Sequence, residues 1–131
     1  MKMENAMPRP TNAELEILTV LWSTGPATVR EVYEVIRRRR SFAQYSTILK
    51  FLQIMAEKGL VLRDESQRAH VYSAAKTRAW TQRQLAGDLL ERAFSGSAKA
   101  LLVGALSARK ASARELAEIR KLLDEYEKGS K

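Results

Sequence analysis

Apolar residues at helical spacing appear almost from the start of the chain. Thr11-Asn-Ala-Glu14 fits a capping box, in which the threonine hydroxyl takes the amide three residues on and the glutamate reaches back. The segment it opens has Leu15, Leu18, Leu21 and Trp22 on one side and Ile17 and Val20 on the other. A helix so widely apolar is predicted to sit centrally in a core. Gly25-Pro26 ends it. Thr28-Val-Arg-Glu31 is a second capping box, and Val29, Val32, Tyr33 and Ile36 then recur at helical spacing. This second helix runs into Arg37-Arg-Arg-Arg40, cations at a C-terminus where the macrodipole favours them.

After a turn over residues 41–44, the stretch from Tyr45 to Lys58 gathers Ile48, Phe51, Leu52 and Met55 on one face. Ser46, Lys50, Gln53 and Glu57 lie opposite, with Thr47, Leu49 and Ile54 on the flanks. Gly59 suits the left-handed position that terminates a helix. Leu60–Arg63 and Ala69–Ser73 then read as two strands joined by a polar loop. The order helix, helix, helix, hairpin predicts a winged helix-turn-helix domain over residues 11–75, behind a loose tail over residues 1–10.

From Thr77 the helical pattern resumes. Leu85, Leu89 and Ala93, with Ala86, Leu90 and Phe94, form a wide apolar stripe that Ser95-Gly-Ser97 interrupts. Ala98–Leu106 is short and strongly apolar, and Ser112-Ala-Arg-Glu115 opens a last helix carrying Leu116, Ile119, Leu123 and Tyr126 on one face. Such stripes, without a long fourth partner helix, bury too little surface within one chain. An isologous homodimer covers them economically. Residues 76–131 are therefore expected to be a helical dimerisation domain, with Leu85, Leu89, Phe94, Leu101, Leu102, Leu106, Leu116, Ile119, Leu123 and Tyr126 at the interface. The fold class is mainly α with a small β-hairpin wing.

Composition narrows the function. Among 131 residues, 23 Lys and Arg against 15 Asp and Glu give a net charge of +8, which favours a polyanionic partner. The excess is spread, net +3 over residues 1–75 and net +5 over residues 76–131, so it does not by itself locate a binding face. Cysteine is absent, which removes disulfides, thiolate catalysis and thiolate metal sites. His70 is the single histidine, so neither a zinc site nor the usual general base is expected. With no nucleophile–base set and no phosphate-cradling glycine loop, an enzyme is not expected, nor is a cofactor. No run approaches the roughly 20 apolar residues that span a bilayer, and the first residues lack the apolar core of a signal peptide. A cytoplasmic protein is expected.

In a helix-turn-helix the second helix of the motif enters the major groove, its N-terminal half reaching base edges. Here that half offers Ser46, Thr47, Leu49, Lys50 and Gln53. Gln pairs with adenine, Lys donates to guanine, Ser and Thr serve either, and Leu49 is placed to meet a thymine methyl. Thr28 and Arg30, opening the preceding helix, are candidates for phosphate contacts, as are Arg63 and Arg68 beside the wing tip. Arg37–Arg40 read equally well as a solvated helix end or as a backbone contact. A winged helix used for protein contact, and a regulator answering to a small effector, are the alternatives.

Taken in order, Ala13-Glu-Leu-Glu-Ile17 with Leu21-Trp22, Thr28-Val-Arg-Glu-Val32, Tyr45 to Val61, and Arg68-Ala-His-Val-Tyr72 resemble the penicillinase-repressor and methicillin-resistance-regulator family of winged-helix repressors. The resemblance covers nearly the whole chain from Thr11. It implies an N-terminal DNA-binding domain, a C-terminal dimerisation domain, a palindromic double-stranded operator, and repression by excluding polymerase. In relatives controlling β-lactam resistance, a sensor protease cleaves an Asn-Phe bond early in the C-terminal domain, which makes such a protease a candidate partner. The aligned segment here, Lys99-Ala-Leu-Leu-Val-Gly-Ala-Leu106, has Gly104-Ala105 in place of that bond. The paired Cys-x-Cys motifs of copper-responsive relatives are absent. Relatives often carry Arg at the position of Ile54, so one cation of the recognition helix is replaced by an apolar side chain.

Overall fold

Both N-terminal capping boxes form, and they fix where the first two helices begin. The Thr11 amide donates to Glu14 Oε1 at 2.9 Å while the Glu14 amide donates to Thr11 Oγ1 at 3.2 Å. The same exchange links Thr28 and Glu31, at 2.8 and 3.2 Å. In this computed structural model, which describes residues 9–129, they open α1 (Asn12–Thr24) and α2 (Val29–Arg39). The tail expected over residues 1–10 lies outside the described residues except for Arg9 and Pro10.

The third helix, α3, spans Tyr45–Lys58 and closes on Gly59 in the left-handed conformation, φ 83° and ψ 13°. Gly59 donates to the Ala56 carbonyl and Leu60 to that of Met55, so two carbonyls at the helix end find partners. That second bond commits the Leu60 amide to the cap, while the Leu60 carbonyl accepts the Ala75 amide at 3.0 Å. The strand starts one residue later than its apolar pattern suggested, as β2 (Val61–Asp64), and pairs with β3 (Val71–Ala74). The hairpin register sets Val61 opposite Ala74 and Arg63 opposite Tyr72.

A two-residue strand, β1 (Ala27–Thr28), joins the other edge of β3, giving an antiparallel sheet of order β1-β3-β2. Sequence pattern did not anticipate it, because two residues after a proline are too few to show alternation. Its effect is to lash the start of α2 to β3 of the wing.

The core gathers Ile17, Leu18, Val20 and Leu21 from α1, Val29, Val32 and Ile36 from α2, and Ile48, Leu52 and Met55 from α3. Leu60, Val61 and Tyr72 close it from the sheet side. The α1 helix is central, as its wide apolar surface implied. Glu14 is buried here at 2% exposure, and both its carboxylate oxygens take bonds of 2.9 Å from Lys58 Nζ, tying the start of α1 to the end of α3.

Contacts divide the chain into two compact units within α4 (Arg78–Phe94), one ending at Leu85 and the other starting at Ala86. The first turns of α4 pack with the first unit. Trp22 Nε1 donates to the Lys76 carbonyl at 2.9 Å, Arg78 reaches Ser23 Oγ at 3.3 Å, and Thr81 is buried. In the second unit, Ser95 and Gly96 take φ of 51° and 79° and reverse the chain into α5 (Ala98–Ala108). Ser97 caps α5, and Ser112 accepts the Glu115 amide to cap α6 (Ala113–Gly129). No residue of α5 or α6 is buried.

Glu14 yields a stability test. Burial opposes its ionisation, but the Thr11 amide and the Lys58 ammonium together outweigh burial and hold its carboxyl below the ordinary 4.5. A group depressed in the folded state stabilises the fold above the unfolded pKa, and that contribution is lost as pH falls through the lower folded value. Glu14→Gln is expected to cost about 1–3 kcal/mol in urea unfolding at pH 7. The gap between variant and parent should shrink as pH falls below about 4.

Candidate nucleic-acid interface

Burial of Ile48, Leu52 and Met55 decides which side of α3 meets solvent. At about 100° per residue, their opposite face carries Ser46, Thr47, Lys50 and Gln53, and all four are exposed. Among the described residues, neither Lys50 nor Gln53 has a side-chain partner. Leu49, the fifth residue expected at base edges, is half-buried and packs against the core. Ile54 takes its place on the outer surface. It bounds a shallow depression of about 390 Å³ lined also by Ser46, Thr47, Lys50 and Phe51.

At its N-terminus, α3 has no side-chain cap, since Gln44 makes none, and only the Gln44 carbonyl serves the Thr47 and Ile48 amides, both at 3.2 Å. The start of α2 differs. Thr28 gives its amide and a hydroxyl lone pair to the capping box, and the Glu31 carboxylate occupies that helix end. Only the Thr28 hydroxyl proton remains for an anionic contact. Arg30 reaches across to α3, its guanidinium 4.8 Å from the Tyr45 ring centre and 5.8 Å from that of Tyr33. The two rings meet edge to face at 5.7 Å. Arg30 also stands 3.7 Å from a Glu34 carboxylate oxygen, a looser pairing than those of Arg37 and Arg40. It sits beside the N-terminus of α3 with Tyr45, which sequence reasoning passed over, as the surface beneath it.

On the wing, Arg63 is already engaged. The Tyr72 hydroxyl, then the Glu65 carboxylate at 2.7 Å, push its pKa up. The Ser66 amide, at 2.9 Å from Asp64 Oδ1, holds the Asp64 carboxyl below its ordinary range and shapes the turn. Arg68 is exposed and has no partner among the described residues. Of the arginine run, Arg37 pairs with Glu34 at 3.1 Å and Arg40 with Glu16 at 3.2 Å. Arg38 and Arg39 point to solvent. The free cations of this unit therefore include Lys50, Arg38, Arg39 and Arg68, while Arg63 and Arg40 carry carboxylates.

The ten residues expected at a subunit interface fall in two groups. Leu89, Leu102, Leu106, Leu123 and Tyr126 are exposed, with Tyr126 at 75%. Leu85, Phe94, Leu101, Leu116 and Ile119 are half-buried, and the Phe94 ring lies against Gly104. Val103 and Leu122, which sequence reasoning did not select, are exposed as well. A cleft of about 650 Å³ also opens between α1, α2 and α3, its wall including Phe42, Ala43 and Phe51 and its rim the Arg40–Glu16 pair. Among the described residues there is no cluster of metal-ligating side chains, and no helix is long and apolar enough to cross a membrane.

Comparison with known proteins finds both relatives in sequence and a shared fold. The transcriptional regulator BlaI of Mycobacterium tuberculosis, in strains CDC 1551 / Oshkosh and ATCC 25618 / H37Rv, is 38% identical over 118 residues, or 88% of this chain and 83% of the relative. The solution structure of the DNA binding domain of the repressor BlaI superposes with a TM-score of 0.50. It does so at 23% identity over 56% of this chain and 89% of that one, and shares its fold. The penicillinase repressor family profile matches residues 10–125. The chain belongs to the penicillinase repressor family, whose members are regulators of transcription and not enzymes.

Proposed function

We propose that the protein is a homodimeric transcriptional repressor that grips a palindromic operator, one α3 helix in the major groove of each half-site. The observation that carries this reading is the outer face of α3, where Ser46, Thr47, Lys50 and Gln53 stand exposed while Ile48, Leu52 and Met55 are sealed beneath. Hydrogen-bonding side chains of these types match base edges. Arg30 beside α3, and Arg68 on the wing, take phosphates and set the register. Thr28 and Arg63 act as supports for these elements, since their polar atoms are largely committed within the fold.

The dimer draws on the second unit. Helices α5 and α6 bury no residue, yet leave Leu102, Val103, Leu106, Leu122 and Leu123 in solvent. A second copy covers such stripes symmetrically. Pairing two DNA-binding units on one operator makes the second docking step intramolecular, which raises avidity well beyond that of one unit.

Release by a sensor protease rests on family likeness. Gly104-Ala105 lies inside α5 with Phe94 against Gly104, so cutting there requires α5 to unwind first. Residence in the cytoplasm follows from acting on DNA.

Sedimentation of the full chain at micromolar concentration is expected to give a dimer, alone and on DNA. Leu102→Glu with Leu123→Glu should yield a monomer whose operator affinity falls by about 10²-fold or more. Binding should weaken by about 10³–10⁵ between 50 and 200 mM salt, for roughly 6–10 phosphates neutralised. Lys50→Ala and Gln53→Ala should shift site preference, whereas Arg68→Ala should weaken all sites alike and flatten the salt slope by about one. Equal effects from all three would refute the division into base readers and backbone clamps. Failure to bind any duplex would leave a winged helix that serves protein contact.

A further inference from the structure

The outermost line of α3 is not polar along its whole length. At about 100° per residue, Ile54 stands about 160° around the helix from Leu52, the most deeply buried residue of α3 together with Met55. Lys50 stands opposite the centre of the buried face, and Ile54 lies beside it on the exposed face, between Lys50 and Thr47, with 36% of its surface open. The Phe51 ring, half-buried, flanks it, and the two form the apolar side of the 390 Å³ depression whose other side is Ser46, Thr47 and Lys50. A β-branched side chain set among polar ones on this face calls for an apolar partner there, because the face is otherwise built to hydrogen-bond.

We propose that Ile54 is a specificity residue that reads the C5-methyl group of thymine. The inference rests on the reading of α3 as the groove helix. Thymine is the one base presenting a methyl group in the major groove, and cytosine at the same place presents only a C–H edge and an amine. The Ile54 and Phe51 surfaces receive the methyl, while Lys50 and Thr47, on the rim of the same depression, remain available to acceptor atoms on the adjoining base. Leu49, the residue that pattern alone assigns to this contact, is turned toward the core. The half-site is thereby expected to hold a thymine under the middle of α3, next to a base rich in acceptors.

The test uses the full-length protein and binding sites recovered from a randomised duplex. Each thymine of the recovered site is replaced in turn by deoxyuridine, which removes the methyl and nothing else, and affinity is read by fluorescence anisotropy. At one or two positions per half-site, wild-type affinity should fall about three- to fivefold for each methyl lost. In Ile54→Ala, with folding verified by circular dichroism and thermal unfolding, the same replacement should change affinity less than twofold. Tight binding that is indifferent to every thymine-to-deoxyuridine change overturns the inference and leaves the DNA-binding reading standing, as does an unchanged penalty in Ile54→Ala. Recovery of no site at all would overturn both.

Discussion

The seating of α3 on α1 and α2 is the constraint from which the rest follows. Ile48, Leu52 and Met55 are each at most 5% exposed, and burying side chains of this size is worth about 1.5–3 kcal/mol apiece. Because the three lie on one side of the helix, their burial leaves no freedom in what the other side presents. Thr47, Lys50, Gln53 and Ile54 face outward because of where Leu52 is held. Two ties fix the helix along its axis. Lys58 grips Glu14 at one end, and Arg30 lies over Tyr45 at the other. The outer face of α3, the surface proposed to read bases, is in this sense a consequence of the core, not a separate invention on top of it.

Charge on this unit is arranged by subtraction. Many of its cations are spent on neighbouring carboxylates, as Arg40 is on Glu16 and Arg63 on Glu65. Those left open include Lys50 on α3, Arg38 and Arg39 at the end of α2, and Arg68 on the wing. Exposed ion pairs of this kind contribute little to stability. Their consequence here is to decide which positive charges remain for an external anion. The second unit poses the opposite problem, apolar stripes with nothing buried in α5 or α6. The proposed partner copy would cover them by symmetry.

Much of this was legible beforehand, for reasons that can be named. Both N-terminal boxes are local four-residue exchanges, so Thr11–Glu14 and Thr28–Glu31 could be read without knowledge of the fold. The core face of α3 and the Gly59 stop were legible for the same reason. What escaped depends on distant partners. β1 exists only because β3 is beside it, and the Glu14 carboxylate, read as a cap, also takes Lys58 from 44 positions away. Arg63 could not be known to be occupied until the hairpin register set it opposite Tyr72. The interchange of Leu49 and Ile54 was within reach, since the wheel angle to Leu52 already favours Ile54, but apolar type alone placed both on the flanks.

The most direct test is a titration of the isotopically labelled full chain with duplex DNA carrying its operator, followed through backbone amide NMR shifts. The account predicts the largest changes from Tyr45 to Ile54 and at the wing tip around Arg68, with little change along α1. Shifts concentrated in α5 and α6, with α3 unmoved, would contradict it.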